Sequence, residues 1–383
     1  MNYSLCTRMP YRDEDVNTFI DDFIYDYKGE IPLQKLLYEE IKKLKTVITV
    51  KELKQIMYNA LMFRGISESI AKFMIDDYIE AELSGQSSHG LSKFLLLDVA
   101  LKQREGDVEL VKECGNYAKF NGHKELGHVA AIACVEKAIE LANRHGNSIV
   151  AMNNANRYSR IKPFARKIAE NGFIGIIMNN GGPSAVAPFG GTTPIFGTNP
   201  ICFAFPSKKG KPYIFDFSTS KKVWAEIRQA ILEKRNLPSD CFYDSNGNVT
   251  INPEKAEAVK AFGDAKGYAL CYAIEILTGA FVGSKMGSKV NDEYDLGFIF
   301  IALDPAMFTD MEEFKLAVDE LADEVRNSKS FNNKVSVPGD RTQKQFCDNS
   351  ASNAIMVEES IFERIKLMEN SLCGGIESSN KLN

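Results

Sequence analysis

The chain has 383 residues, a net charge of −5, 44% hydrophobic residues and 25% charged ones. That length calls for two or three lobes rather than one small core, and the acid excess excludes nucleic acid as the main partner. No apolar run approaches the roughly 20 residues that cross a bilayer, and Arg8 and Arg12 interrupt any apolar signal core. A cytoplasmic protein with no membrane association is therefore expected. The eight cysteines contain no C-x-x-C pair. Cys134, Cys202 and Cys271 lie in apolar surroundings and read as reduced core thiols rather than metal ligands or disulfides.

Residues 1–48 read as an appended N-terminal helical extension, acidic and aromatic at first (Asp13, Glu14, Asp15, Tyr25, Tyr27) and basic at its end (Lys42, Lys43, Lys45). Thr49 and Glu52 form a T-x-x-E capping box, opening a helix that carries Leu53, Ile56, Met57, Ala60 and Leu61 at helical spacing. Gly65 ends it. A second amphipathic helix over 70–83 closes at Gly85, and a third spans 91–103. A long helix over 126–144 then carries Ala130, Cys134, Ala138 and Leu141 on one stripe.

Strands are expected over 148–152, 173–178, 201–205, 213–217 and 298–303, with helices through 166–170, 221–234, 268–280 and 311–326 and a polar loop before Pro253. Alternating strands and helices argue for an α/β lobe. The domain reading is an extension (1–48), a helical lobe (49–115, completed by 305–370), an α/β cofactor lobe (116–304) and a disordered tail (371–383).

Four segments could carry chemistry. Ser88-His89-Gly90-Leu91 contains one of only four histidines, between two helices, with Lys93 one turn further on. Histidine exchanges protons near neutral pH, so this pattern suits a proton donor beside an anionic substrate; a surface or capping histidine is the other reading. Asn179-Asn180-Gly181-Gly182-Pro183 and Pro188-Phe189-Gly190-Gly191 form a long glycine-rich loop that either lies over a ligand or serves as a crossover. It is neither G-x-G-x-x-G nor a P-loop. Asp216, at the end of a strand, either caps the following helix or orients a partner such as histidine. Lys266, near a helix N-terminus, marks an anion site or is an ordinary exposed lysine. His123, His128 and His145 make no metal set by spacing.

Taken in order, SSHGLSKF (87–94), NNAN (153–156), APFGG (187–191), GTNPI (197–201), FDFSTS (215–220), AKGYAL (265–270) and Pro338-Gly339-Asp340 resemble the malate/L-lactate dehydrogenase family. This non-Rossmann family includes 2,3-diketogulonate reductase and ureidoglycolate dehydrogenase, and the match runs from about Thr49 to Leu367. The resemblance implies an α/β fold with a mixed-sheet cofactor lobe and a helical lobe, NAD or NADP as cofactor, and a homodimer. It places the catalytic pair on Ser88 and His89, with His89 protonating the substrate carbonyl oxygen and Asp216 orienting the imidazole and raising its pKa. It places cofactor contacts on Pro212, Tyr213, Ile214, Phe215, Phe217 and Ser218, on Ala265 and Lys266, and on Gly339, Asp340 and Arg341.

Lys93 is the expected partner of the substrate carboxylate, in a position where the family commonly has arginine. Arg157 stands where the family tends to carry a second histidine; it cannot exchange protons near neutrality and is expected to bind the substrate carboxylate instead. The glycine pair that usually precedes AKG-like segments is reduced to Gly263-Asp264. The implied activity is NAD(P)H-dependent reduction of a small anionic 2-oxo acid of diketogulonate, malate or lactate type to the 2-hydroxy acid. The wording of NNANR and GTNPI leans toward the diketogulonate branch. The alternatives are reduction of a cyclic imine, or a binding or regulatory protein that kept the fold.

Overall fold

The computed structural model describes residues 45–331 and 335–370. The expected extension thus lies outside the described residues except for its last four, and the 371–383 tail lies outside them entirely. Those last four are strand rather than helix. β1 (Lys45–Thr49) carries the β-branched run Thr46-Val47-Ile48-Thr49, which favours extended backbone, and it pairs antiparallel with residues 354–358.

α1 (Val50–Phe63) begins at the capping box read from the sequence. Glu52 N–H donates to Thr49 Oγ1 at 3.1 Å, and Thr49 N–H donates back to the Glu52 carboxylate at 3.3 Å. α2 (Glu68–Leu83) follows. The single helix expected over 91–103 is two, α3 (Leu91–Phe94) and α4 (Leu97–Lys102). Phe94, Leu95, Leu96 and Leu97 are all buried. A straight helix would spread four consecutive side chains around its whole circumference, so the chain bends at 95–96 and buries them together.

β2 (Glu109–Cys114) and β3 (Tyr117–Asn121) form a hairpin absent from the sequence reading, because every β2 residue is exposed and no alternation betrays it. α5 (Gly127–His145) buries its expected stripe. β4 (Asn147–Ala155), α6 (Lys162–Glu170) and β5 (Ile174–Asn179) make the expected strand–helix–strand unit. β6 (Val186–Ala187) precedes β7 (Ile201–Phe205) and β8 (Tyr213–Phe217), and the latter two have the expected limits. α7 (Ala225–Leu232) starts later than expected because the preceding residues bend and turn, with Lys221 N–H donating to the Lys260 carbonyl.

The polar loop before Pro253 contains β9 (Phe242–Tyr243) and β10 (Val249–Thr250), with β11 (Ala258–Lys260) just beyond. α8 (Asp264–Thr278), β12 (Leu296–Leu303) and α9 (Met311–Asn327) follow. α10 (Asp340–Ser350), β13 (Ala354–Glu358) and α11 (Glu359–Leu367) complete the described chain.

The main sheet has seven strands in the order β2-β3-β4-β12-β5-β7-β8. Only β3 and β4 pair in parallel; the other neighbours are antiparallel. The β4–α6–β5 crossover leaves a gap that β12 fills from far along the chain. This is a mixed sheet, and not the all-parallel sheet of a dinucleotide-binding fold.

α5 and α6 cover one face, where Phe164, Ile168 and Ala138 pack against Met152, Phe298 and Phe300. A second core joins Leu53, Met57, Met74, Tyr78 and Phe94 of the helical segment to Ile355, Ile365 and Met368. A third, smaller core lies under the four-stranded sheet β10-β9-β11-β6. α9 packs elsewhere, its Asp319 accepting from Ser207 Oγ at 2.7 Å and from the backbone of Lys208 and Lys209. Cys134, Cys202 and Cys271 are fully buried, as their apolar settings predicted. No helix among the described residues is long and apolar enough to cross a membrane.

Candidate active site

His89 sits on a single 3₁₀ turn, Ser87–His89, between α2 and α3. Glu82 on α2 reaches across to accept the Leu91 N–H at 2.8 Å, stitching the turn to the helix before it. A Cβ at Gly90 would lie 2.2 Å from that carboxylate, so only glycine lets Glu82 make the bond. Ser88 Oγ lies 2.9 Å from His89 Nδ1. One ring nitrogen is thereby engaged, and Nε2 is the nitrogen left for proton exchange. Burial, then the Lys93 charge, then Arg160 pull the imidazole down to about 4, with Asp77 opposing them. The ring is therefore neutral at pH 7 in the free protein.

The loop after β4 forms the opposite wall. Ser159 Oγ donates to the His89 carbonyl, joining the two segments. A small cavity of about 30 Å³ opens here, lined by Lys93, His128, Arg157, Tyr158 and Ser159 among others. That is the volume of about one water molecule, suited to a carboxylate end rather than a whole substrate. Lys93 and Arg157, both expected to meet an anion, thus line the same cavity. Arg157 is held by an ion pair with Glu293, and its N–H donates to the Glu293 carbonyl at 2.9 Å. Tyr158 Oη donates to Asn179 at 3.0 Å.

Behind this wall lies a buried ionic network that the sequence reading missed. Asp77, 2% exposed, accepts from Arg160 Nε at 2.8 Å and lies 3.0 Å from His128 Nε2. Arg160 also donates to Gln86 at 3.0 Å, on the residue before the His89 turn. Burial alone would raise Glu80, but the paired nitrogens of Arg166, with Lys162 and Arg160, outweigh it and hold the carboxyl at about 2. A usable signal existed: Asp77 sits among Met74, Tyr78 and Ala81 on the buried face of α2, where a carboxylate needs a partner.

Asp216 is placed differently from expectation. Alternation along β8 puts Asp216 on the face covered by α6, where it accepts the Lys162 N–H at that helix's start. Burial pushes it up to about 6, against the pull of Arg160 and Lys162. It serves the N-terminus of α6, not the helix that follows it, while the His89 ring is anchored by Ser88 and feels the charge of Asp77. A carboxylate's neighbours in space, 54 or more residues away along the chain, are invisible to a motif.

The three stretches expected to hold a cofactor meet along β8, which is an edge strand of the sheet. Gly339 lies against the Ile214 carbonyl. Arg326 bridges the two segments, its guanidinium 5.7 Å from the Tyr213 ring and bonded to Asp340 at 2.8 and 3.0 Å. Phe215 packs on Phe205, and Ser218 lies 3.1 Å from Ser220. At the far end Phe217 packs on Phe262, just before α8 with its exposed Ala265 and Lys266. Pro212 leads into the strand, and Arg341 is exposed in the first turn of α10.

The glycine-rich loop is organised by a carboxylate. Buried Glu275 accepts from Asn199 at 2.6 Å, from Asn180 at 3.3 Å and from Gly287 N–H at 2.6 Å. A Cβ at Gly181 would lie 2.3 Å from the Thr198 and Asn199 nitrogens. That glycine therefore lets two loop segments touch each other.

The His89 turn, the Lys93–Arg157 cavity and the β8 edge strand are thus carried on a mixed-sheet fold that is not the usual dinucleotide fold. The family model described as malate/L-lactate dehydrogenase matches residues 48–366. The chain is 34% identical over 338 residues to the malate/(S)-sulfolactate dehydrogenase of Methanothermus fervidus, covering 85% of this chain and 98% of that one. A Δ¹-pyrroline-2-carboxylate reductase of Burkholderia ambifaria is 29% identical, over 68% of this chain and 81% of its own. The solved structure of sulfolactate dehydrogenase from Methanocaldococcus jannaschii superposes with a TM-score of 0.78 at 31% identity, covering 85% of this chain and 97% of that one. The chain belongs to the malate/L-lactate dehydrogenase family. It is an oxidoreductase acting on CH–OH groups.

Proposed function

We propose that the protein reduces a small 2-oxo acid to the 2-hydroxy acid with NADH or NADPH, His89 serving as the proton donor. The observation that carries this reading is the neutral, Ser88-anchored imidazole beside a cavity walled by Lys93 and Arg157. The cofactor stretch fits a nicotinamide dinucleotide by its donors: an edge strand with free backbone groups, the N-terminus of α10 and the cations Arg341 and Lys266. The bound cofactor would supply the hydride.

The chain's own residues do the rest. Lys93 holds the substrate carboxylate as a point charge. His89 Nε2 delivers a proton to the carbonyl oxygen, so negative charge never accumulates there. Ser88 keeps Nδ1 fixed throughout. In the reverse direction neutral His89 accepts the hydroxyl proton. Exposed Tyr272, Ile276 and Phe281, along and just past α8, support the homodimer expected from the resemblance. The Burkholderia relative favours one second reading, a cyclic imine carboxylate as the electrophile.

NAD(P)H oxidation measured against 2-oxo acids and Δ¹-pyrroline-2-carboxylate, across pH, tests both readings. Turnover of at least one 2-oxo acid is expected. Its kcat/KM should fall by about tenfold per pH unit above the His89 value near 4, because the free protein must carry the donated proton. Oxidation of the hydroxy acid should instead be flat from mildly acidic pH upward, since the neutral base is already present. In the bound complex the substrate carboxylate neutralises Lys93, so the kcat profile should inflect at higher pH than kcat/KM. A pH-independent reduction rate would remove His89 as the donor, and turnover of the imine alone would favour the second reading.

A further inference from the structure

We infer that Glu275 is a positioning residue for the cofactor: it fixes the end of β8 against α8, so that Ser218 and the turn carrying Ala265 and Lys266 present one surface to the dinucleotide. The inference rests on the reading of β8 and the start of α8 as cofactor contacts. Those two stretches stand on separate elements, and a ligand that spans them binds best where their relative placement is fixed in advance. Ala265 and Lys266 lie in the first turn of α8, and Glu275 lies further along the same helix. Glu275 is 5% exposed, and its three donors are the Asn180 and Asn199 amides and the Gly287 N–H, all uncharged. A carboxylate buried among neutral donors is a poor source of stability, because desolvation offsets much of what the bonds contribute. What it supplies is geometry.

That geometry reaches the cofactor stretch through Asn199. Asn199 is fully buried at a left-handed φ of +37°, a backbone state that persists only where its surroundings hold it. Its amide cannot turn round. Oδ1 accepts the Gly181 N–H at 3.0 Å, while Nδ2 donates to Glu275 at 2.6 Å and to the Cys271 carbonyl at 3.1 Å. The Asn199 and Thr198 carbonyls accept Thr219 Oγ1 at 3.1 and 2.9 Å, and the Thr198 carbonyl also accepts the Thr219 N–H at 2.9 Å. Thr219, itself fully buried, directly follows Ser218, and its carbonyl accepts the Phe262 N–H at 3.0 Å just ahead of α8. The path therefore closes on itself, from α8 through Glu275, Asn199 and Thr219 back to α8. A glutamine at 275 would offer one acceptor and one NH₂ group in place of two acceptor oxygens. Whichever way it turned, it would set a donor against Asn199 Nδ2 or against the Gly287 N–H, and the loop would have to shift.

Fluorescence titration of NADH and NADPH into the wild type, E275Q, T219V and I274V tests the inference. E275Q should weaken binding of the preferred cofactor by about tenfold, the scale of one buried hydrogen bond lost, and raise its KM in 2-oxo acid reduction. At saturating cofactor kcat should stay within about twofold, since the His89 turn is held by Glu82 and Ser159. T219V removes the hydroxyl that links Asn199 to β8 and should show the same pattern, and the two changes combined should weaken binding by less than their sum. Ile274, a fully buried apolar neighbour on α8, supplies the structural control. I274V should lower the melting temperature and leave cofactor affinity unchanged. Wild-type affinity in T219V and in folded E275Q, or an equal loss in I274V, overturns the inference alone. Should E275Q not fold, T219V against I274V decides by itself. Failure of the wild type to bind either cofactor overturns the reading of the cofactor stretches and this inference together.

Discussion

Replacing His89 with alanine should lower turnover of a good 2-oxo acid by about 10²–10⁴-fold, the range for losing a general acid, while NAD(P)H still binds. The expectation rests on the local geometry. The turn is held independently of the ring, by Glu82 accepting Leu91 N–H and by Ser159 donating to the residue 89 carbonyl. Removing the imidazole therefore leaves the backbone scaffold and the Lys93 wall in place. The proposed cofactor stretch along β8 is held by other contacts, such as Arg326 with Asp340. The loss should appear in kcat rather than in cofactor affinity, and stopped-flow fluorescence of bound NAD(P)H with steady-state kinetics separates the two. Full turnover in the variant would show that the proton comes from elsewhere, such as His128, which lines the cavity.

The largest effect on stability is expected at Asp77. Asp77→Ala should destabilise the fold by about 3–5 kcal/mol, because it takes the nearest carboxylate from a buried cation and leaves it only Glu80, at 3.8 Å. Arg160 is 4% exposed and directs both its Nε and a terminal nitrogen at this one carboxylate. His128, 2% exposed, loses its partner in the same step. The adjacent Asp76 provides the control, since its pair with Lys54 is exposed on both sides. Asp76→Ala should change stability little, surface pairs of this kind being weak. Thermal melting of the two variants side by side checks the contrast. Equal losses would mean that the buried network contributes no more than a surface pair. Asp77→Ala should also depress the His89 pKa further, since Asp77 is the charge that opposes Lys93 and Arg160 there.

Much of this architecture could be read along the chain, and the reasons for the exceptions are physical. Elements with a local signature emerged cleanly: the Thr49–Glu52 box, the α5 stripe and the limits of β7 and β8 each depend on neighbours a few residues away. β1 was hidden because its partner lies some 300 residues on, and the β2–β3 hairpin because its outer strand buries nothing. The break between α3 and α4 comes from tertiary demand, four adjacent apolar side chains seeking one core.

The site divides in the same way. Ser88, His89, Lys93 and Arg157 stand in ordered motifs and do converge on one region. Asp77, Arg160 and Glu293 carry no motif, since each matters only through a partner distant in sequence. Asp216 shows the converse. Its motif was plain, but the neighbour that uses its carboxylate, Lys162 at the start of α6, could be found only in three dimensions.

The central claim is that one imidazole and one cationic wall share a 2-oxo acid between them. A crystal structure of the protein with NADH or NADPH and oxamate, an unreactive mimic of a 2-oxo acid, tests it most directly. The oxamate carbonyl oxygen is expected within hydrogen-bond reach of His89 Nε2, its carboxylate on Lys93, and Arg157 still paired with Glu293. Oxamate bound away from His89, or held by Asp216 and β8 instead, would contradict it.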